Sequence, residues 1–297
     1  LNVSRSYLQM DSTIRQLGSH LSKKISDRLS ALYRSERERF ISYWEDIEII
    51  IKYGALQDEK FYERAKEFLI FKTFTNEWMT IEEYIEKHPS KTIYYTSERG
   101  HFLELYKEKN IEVLFVRASP IDQALIQMLE KKTGALFKRI DGHMDEHLLD
   151  SSKEKGLLDA DGRSEAGRMA EFFKKKLEIS ELEVEAKSLA TPTLPAFLLL
   201  KEEERRLRDS LAYHNRLDMS AARGFIKPTF VINTNNKLIQ AIHTVGEKDP
   251  DLAKQMVREV YDLACLSQRE MEPEGLSEFV SRSTAVLENL AVKICTA

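Results

Sequence analysis

The chain has 297 residues, of which 42% are hydrophobic and 32% charged, with a formal net charge of −4. That length suggests two domains with apolar content enough for real cores. There is no broad basic excess for nucleic acid, and no apolar run approaches the ~20 residues of a membrane span. The two cysteines, Cys265 and Cys295, can form neither a disulfide framework nor a four-ligand zinc site. A reducing, cytoplasmic setting is expected, with no nucleic-acid and no membrane partner. No phosphate-loop or dinucleotide-binding glycine pattern occurs, so the chain does not hold a nucleotide through such a loop.

The first stretch, Leu1–Gln9, has no initiator Met and no secretory segment, and is expected to lie inside a longer protein. Arg5 and Gln9 stand four residues apart. At a helix start that spacing puts both on one side. Five fixed donors and a charge that does not titrate suit Arg5 to a phosphate; a solvated arginine is the plainer alternative. From Asp11 to Tyr33, Ile14, Leu17, Leu21, Ile25, Leu29 and Leu32 form one apolar stripe of a long helix. A second helix carries Phe40, Trp44, Ile47 and Ile51 and is expected to stop near Gly54. Asp58–Phe71 reads as a third. Thr80 with Glu83 three residues later is a capping box that opens a short helix to Lys87, which His88-Pro89 ends.

The character then changes. Thr92–Thr96 is β-branched and aromatic and predicts a strand. Phe102–Lys109 predicts a helix, Val113–Val116 a buried strand, Ser119-Pro120 the start of a helix to about Lys132, and Ala135–Ile140 a strand. This alternation predicts a small parallel sheet with right-handed crossovers. Residues 141–163 are poor in aliphatic periodicity and read as a linker region. A helix over Ser164–Leu177, strands over Val184–Leu189 and Ala196–Leu200, a charged helix over Glu202–Leu217, a strand at Phe230–Asn233 and a helix over Lys237–Val245 follow. Two strong amphipathic helices close the chain. The first is capped by Asp249-Pro250 and carries Leu252, Met256, Val260, Leu263 and Ala264. The second runs from about Leu276 with Phe279, Val280, Val286, Leu287, Leu290 and Ile294. Two adjacent stripes at one chain end are hard to bury within one subunit. Pairing with the same helices of a second copy gives a four-helix bundle, and packing back on their own domain is the alternative.

Taken in order, these pieces resemble the heat-shock protein 90 chaperone family, of the bacterial HtpG type. Leu1-Asn2-Val3-Ser4-Arg5 with Gln9 looks like the catalytic loop of that family's middle domain. Ile51-Lys52-Tyr53-Gly54 followed by Asp58-Glu59 looks like its lysine-glycine-acidic segment. Thr80–Lys87, Ile93–Thr96, Ile111–Phe115 and Pro120-Ile121-Asp122 are similar to its small α/β subdomain. Val231-Ile232-Asn233 with Leu238-Ile239 resembles a family turn, and Val260–Ser267 the start of the dimerisation bundle. Departures are Ser6, Gln123 and Thr234, where the family usually has Glu, an acid and Pro. The chain also ends at Cys295-Thr296-Ala297 without the acidic tail of eukaryotic cytosolic members.

The resemblance implies an α/β fold, α+β overall. Residues 1–141 would be the distal middle domain, 142–163 the linker region, and 164–297 a C-terminal dimerisation domain ending in a dimeric four-helix bundle. It implies an ATP-dependent chaperone that assists folding and maturation of client proteins. Arg5 would contact the terminal phosphate of ATP bound by another domain, with Gln9 supporting the site. ATP and Mg would belong to the full-length protein, and this stretch alone would hold no cofactor and hydrolyse nothing. Leu207, Leu211, Tyr213, Leu217 and Met219 are client-binding candidates, with packing on a neighbouring sheet as the alternative. Trp44 and Trp78 are read as core. Dimer-interface candidates are Leu252, Met256, Val260, Leu263, Leu276, Phe279, Val280, Leu287, Leu290 and Ile294. Two rival classes remain. One is a dimerisation scaffold with no client role. The other is a zinc metalloenzyme using His143, Glu146 and His147 of an H-x-x-E-H pattern, although no third ligand is evident and a polar linker explains the stretch, so no metal is expected.

Overall fold

Helix caps written into the sequence set most of the element boundaries in the computed structural model. It describes residues 3–4, 7–8, 12–88, 90–97, 100–140, 148–150, 164–200, 227–268, 271 and 273–296. The chain divides into two units, one of residues 1–97 and 113–137, the other of 98–112 and 138–297. Helix and sheet are mixed in both, as the α/β expectation requires.

In the first unit, β1 (Val3–Ser4) and β2 (Tyr7–Leu8) pair antiparallel, with Val3 opposite Leu8. The expected helical start over Arg5–Gln9 is thereby corrected, because extended backbone stands on either side of Arg5 and α1 (Ser12–Ser35) begins later. The lower half of the α1 stripe, Leu29 and Leu32, packs against the core, while Leu17, Leu21 and Ile25 are exposed. The next helix, α2 (Arg37–Gln57), buries Phe40 and Trp44. The Phe40 ring meets Tyr33 and Phe68 edge-on, at centroid distances of 5.2 and 6.0 Å. Gly54 does not stop α2, contrary to expectation. A Cβ there would stand 3.0 Å from the Phe61 ring, so the glycine lets α3 (Glu59–Ala65) approach closely. Asp58 caps α3 by accepting from the Lys60 amide at 2.9 Å.

The helix expected over Asp58–Phe71 is too long. It ends at Ala65, and Ile70–Thr73 forms β3, paired antiparallel with β4 (Trp78–Thr80). Ile70 and Phe71 are adjacent and both buried, which a strand achieves by sending them to opposite faces. Thr80 then caps α4 (Ile81–Lys87) with the expected capping box: Glu83 N–H donates to Thr80 Oγ1 at 3.2 Å, and Thr80 N–H to Glu83 Oε2 at 2.7 Å. The chain continues through β5 (Thr92–Thr96), α5 (His101–Glu108), β6 (Val113–Phe115), α6 (Pro120–Thr133) and β7 (Leu136–Arg139). The sheet order is β4-β3-β6-β5-β7. β5 and β6 are parallel, as their helical connection requires, but β3 runs antiparallel to β6 and to β4. The expected parallel sheet is therefore a mixed one.

A buried charge cluster joins α2 to α6. Lys52 Nζ donates to Glu48 Oε2 at 2.9 Å and to Asp122 Oδ1 at 2.6 Å. Arg117 pairs with the other Glu48 oxygen, and Ser119 Oγ donates to Asp122 Oδ2 at 2.6 Å. Lys52 also lies 5.7 Å from the Phe71 ring centroid. Each charge is thus paired and both oxygens of Glu48 and of Asp122 have a partner, the condition under which buried carboxylates are tolerated.

The second unit, to which α5 belongs, continues with α7 (Glu165–Leu177), capped by Ser164. Three strands follow, β8 (Glu183–Lys187), β9 (Ala196–Leu199) and β10 (Thr229–Asn233), in sheet order β8-β10-β9. The central strand β10 is buried throughout, parallel to β8 and antiparallel to β9. Asn233 pins the strand's end. Its Nδ2 donates to the Thr191 and Leu194 carbonyls at 2.8 and 2.9 Å, and its Oδ1 accepts from the Leu189 and Asn235 amides. Thr234, standing where the resembled family has proline, donates its N–H to the Lys187 carbonyl at 3.0 Å, a bond proline cannot make. Three helices complete the unit: α8 (Lys237–Lys248), α9 (Pro250–Ser267) and α10 (Pro273–Thr296).

Two predictions follow from the charged groups of the first unit. Lys52→Met leaves Glu48 and Asp122 buried without their shared partner, and should cost about 3–5 kcal/mol of unfolding free energy in denaturant titrations. Burial alone would raise the Glu83 carboxyl, but the Thr80 amide and the Arg37 guanidinium outweigh it and hold its pKa below the ordinary value. Stability from this group is therefore present above the ordinary 4.5 and lost as pH falls through the lower folded value. The destabilisation caused by Glu83→Gln should be clear at neutral pH and fade in acid, as read from denaturation midpoints across that window.

Candidate functional site

The two closing helices carry the features that reach beyond the second unit's own core. Asp249 accepts from the Leu252 amide at 3.0 Å and Pro250 occupies the first turn, so α9 starts where the sequence predicts. One side of α9 packs inward: Leu252, Ala253, Val257, Val260, Ala264 and Cys265 are buried. Its far end is tied to the sheet edge by Gln268, whose amide accepts from Leu198 N–H at 2.6 Å and donates to the Leu198 carbonyl at 2.8 Å. That pairing occupies backbone groups an edge strand would otherwise present.

The α9–α10 junction is electrostatic. Glu259 and Asp262 face α10 with their carboxylates largely withdrawn from water. Arg282 of α10 donates to Glu259 Oε1 at 2.7 Å and also pairs with Asp262. Ser283 Oγ donates to the second Glu259 oxygen, and Arg258 Nε donates to Asp262 at 3.2 Å. Charge-assisted bonds of this kind fix a rotation as well as supply attraction. Next to them the Tyr261 hydroxyl is pushed well above its usual pKa, first by burial and then by Cys265, so it stays protonated.

With Arg282 turned to α9, the opposite apolar side of α10 faces solvent. Leu276, Val280, Leu287, Leu290, Val292 and Ile294 are exposed, Leu287 at 67% and Ile294 at 78%. Phe279 is half-buried and Val286 buried. On α9, Leu263 and Leu266 are exposed and line a groove of about 610 Å³ together with Leu194, Pro195, Ala196 and Glu108. Of the dimer candidates named from sequence, the structure therefore sets Leu252 and Val260 in the unit's core and Met256 half-buried. Leu263, Leu276, Val280, Leu287, Leu290 and Ile294 stand on open surface. Sequence reasoning missed the Arg282 cluster. Its signal was two acids three apart on α9 and an arginine 20 residues beyond Asp262 in sequence.

Arg5 and Gln9, the client candidates Leu207, Leu211, Tyr213, Leu217 and Met219, and the His143-Glu146-His147 pattern lie outside the described residues. Among the described residues, no group of three His, Cys, Asp or Glu side chains could hold a metal ion. No described helix is long and apolar enough to cross a membrane. Trp44 is buried and Trp78 partly so, both packed with the first unit's core.

A family model described as Hsp90 protein matches residues 1–294, so the chain belongs to the Hsp90 protein family. Curated relatives that it matches include proteins called chaperone protein HtpG. That of Bacteroides fragilis (strain YCH46) is 28% identical over 267 residues, 84% of this chain and 38% of the relative. That of Bacteroides thetaiotaomicron is 29% identical over 262 residues, 82% of this chain and 37% of the relative. That of Porphyromonas gingivalis (strain ATCC 33277) is 27% identical over 270 residues, 84% and 38% respectively. The chain thus spans about 38% of the length of these relatives.

Arg282→Met should leave Glu259 and Asp262 without their main cation, at a cost of about 2–3 kcal/mol in the unfolding free energy of the second unit. Arg282→Lys should recover only part of it, because an ammonium lacks the planar fork that reaches both acids.

Proposed function

We propose that the chain works within an ATP-dependent molecular chaperone that assists the folding and maturation of client proteins and acts as a homodimer. The family match over residues 1–294, with relatives named chaperone protein HtpG, supports the chaperone part. The observation that carries the dimer part is the exposed apolar face of α10, held outward by Arg282. A soluble helix normally buries such a face, and a second copy offers a matching one. Clients would meet Leu207, Leu211, Tyr213, Leu217 and Met219, since leucine and methionine adapt to apolar surfaces of varied shape. Unfolded or partly folded proteins, rather than nucleic acid or membrane, are the partners, and the cytoplasm is the setting.

ATP is the substrate, with Mg as its companion ion, in the full-length chaperone this reading implies. Arg5 would place a permanent charge against the terminal phosphate, and Gln9 would support the site. An arginine brought from a separate element stabilises charge on the transferred phosphoryl oxygens only when the elements close, which couples turnover to conformation. In the full-length chaperone, Arg5→Ala should lower ATP turnover by about tenfold or more with dimerisation intact. Unchanged turnover would remove this role from Arg5.

The dimer reading has its own test. Val280→Asp with Leu287→Asp should convert the chain to monomers in light scattering at micromolar concentration, while circular dichroism stays unchanged. A variant that remains dimeric would count against the α10 face. A dimeric parent in a full-length chaperone that fails to suppress client aggregation would favour a dimerisation scaffold instead.

A further inference from the structure

Trp78 on β4, Lys72 on β3 and Phe115 on β6 stand opposite one another in register, so their side chains form one row across the first unit's sheet. Trp44 and the Glu48–Lys52 pair of α2 share with this row a cavity of about 150 Å³. Ser97 and Arg117, just past the ends of the parallel strands β5 and β6, also line it. The carboxyl ends of parallel strands are a common place for α/β sheets to receive a ligand, and a space of this size holds one aromatic ring. Charge sets the cavity apart from a packing gap. Glu48 and Asp122 balance Lys52 and Arg117. Lys72 stands outside that balance. It is half-buried, its ammonium lies 5.7 Å from the Trp78 ring centroid, and among the described residues no carboxylate pairs with it. A cation partly withdrawn from water without an anion carries a desolvation cost that a bound anion would offset. Glu45, the other acid at the cavity, is exposed, where water screens it.

We propose that this cavity is a binding site for a flat apolar group that carries a single carboxylate. The carboxylate takes Lys72 as its counter-ion. Arg117, paired to Glu48 through Nη2, adds its other N–H groups as donors. The flat body lies along Trp78 and Phe115, which supply apolar ring surface. One surplus cation matches one negative charge. A phosphate carrying two is a poorer match, and a neutral aromatic leaves Lys72 without an anion. Two sources carry this chemistry: a free aromatic acid, and an aromatic residue at the C-terminus of a polypeptide. The site lies wholly within the first unit and does not involve α10.

Both tryptophans of the chain line the cavity, so their fluorescence reports its occupancy. Titrating the 297-residue chain with phenylacetate, a ligand of about ten non-hydrogen atoms, should give a saturable change with a Kd on the order of a millimolar. Calorimetry should give a single site per chain. The uncharged analogue 2-phenylethanol should bind about tenfold more weakly, because it leaves the cation unanswered. Lys72→Met should weaken phenylacetate by about tenfold with circular dichroism unchanged, and Lys72→Arg should keep most of the binding. A tripeptide ending in phenylalanine separates the two sources. Binding tighter than that of phenylacetate, and lost when the C-terminus is amidated, supports the site as one for chain ends. Binding weaker than that of phenylacetate supports it as one for free acids. No saturation by either acid up to about 20 mM overturns the proposal. Equal affinity of the parent for phenylacetate and 2-phenylethanol overturns it as well, as does equal phenylacetate binding by the parent and Lys72→Met.

Discussion

Glu259 and Asp262 impose the constraint on which the functional surface depends. Both carboxylates sit on α9 where α10 crosses it, with little access to water, and neither can be left unpaired there without a large penalty. Arg282 answers both at once, and Ser283 takes the remaining Glu259 oxygen. Once these bonds are made, α10 cannot roll about its axis to hide its apolar side on its own unit. The polar junction and the exposed apolar side are two consequences of one rotation. A hydrophobic junction would hold the helices together with less directional definition, since burial is roughly proportional to area and indifferent to angle.

The first unit uses the same device for a different end. Lys52 stands between Glu48 on its own helix and Asp122 on α6, with Arg117 and Ser119 completing the cluster. Here all the charges serve to lock two helices over the sheet, and the surrounding side chains, Trp44 and Phe71 among them, are core. In each unit a buried ionic cluster specifies a helix pair. Only in the second does it also set which apolar face of the helix is left exposed.

Elements bounded by local chemistry were legible in the sequence. The Thr80–Glu83 capping box, Ser119-Pro120 and Asp249-Pro250 open helices where predicted because the signal and its effect lie within one turn. β3 was missed because Ile70 and Phe71 continue the apolar spacing of α3, with no glycine or proline between to end the helix. Only pairing with β4 and β6, which sequence spacing does not display, makes that segment a strand. Gly54 was misread because its role is a contact with Phe61, not a cap. The ionic clusters were hidden for a similar reason. Lys52 and Asp122 are 70 residues apart, and nothing in either stretch alone announces the other. The exposed α10 stripe was legible as apolar periodicity, but that periodicity did not distinguish positions facing α9 from positions facing outward. Arg282 makes the distinction.

The family relationship supports the chaperone reading, and the exposed α10 surface is what the proposed homodimer rests on. The central claim is that this face is covered in solution by another chain. Sedimentation equilibrium of the unmodified 297-residue chain, across concentrations from about one to one hundred micromolar, addresses it most directly. The account predicts the mass of two chains at the upper end, with any dissociation confined to the lowest concentrations. A mass of one chain throughout that range would contradict it.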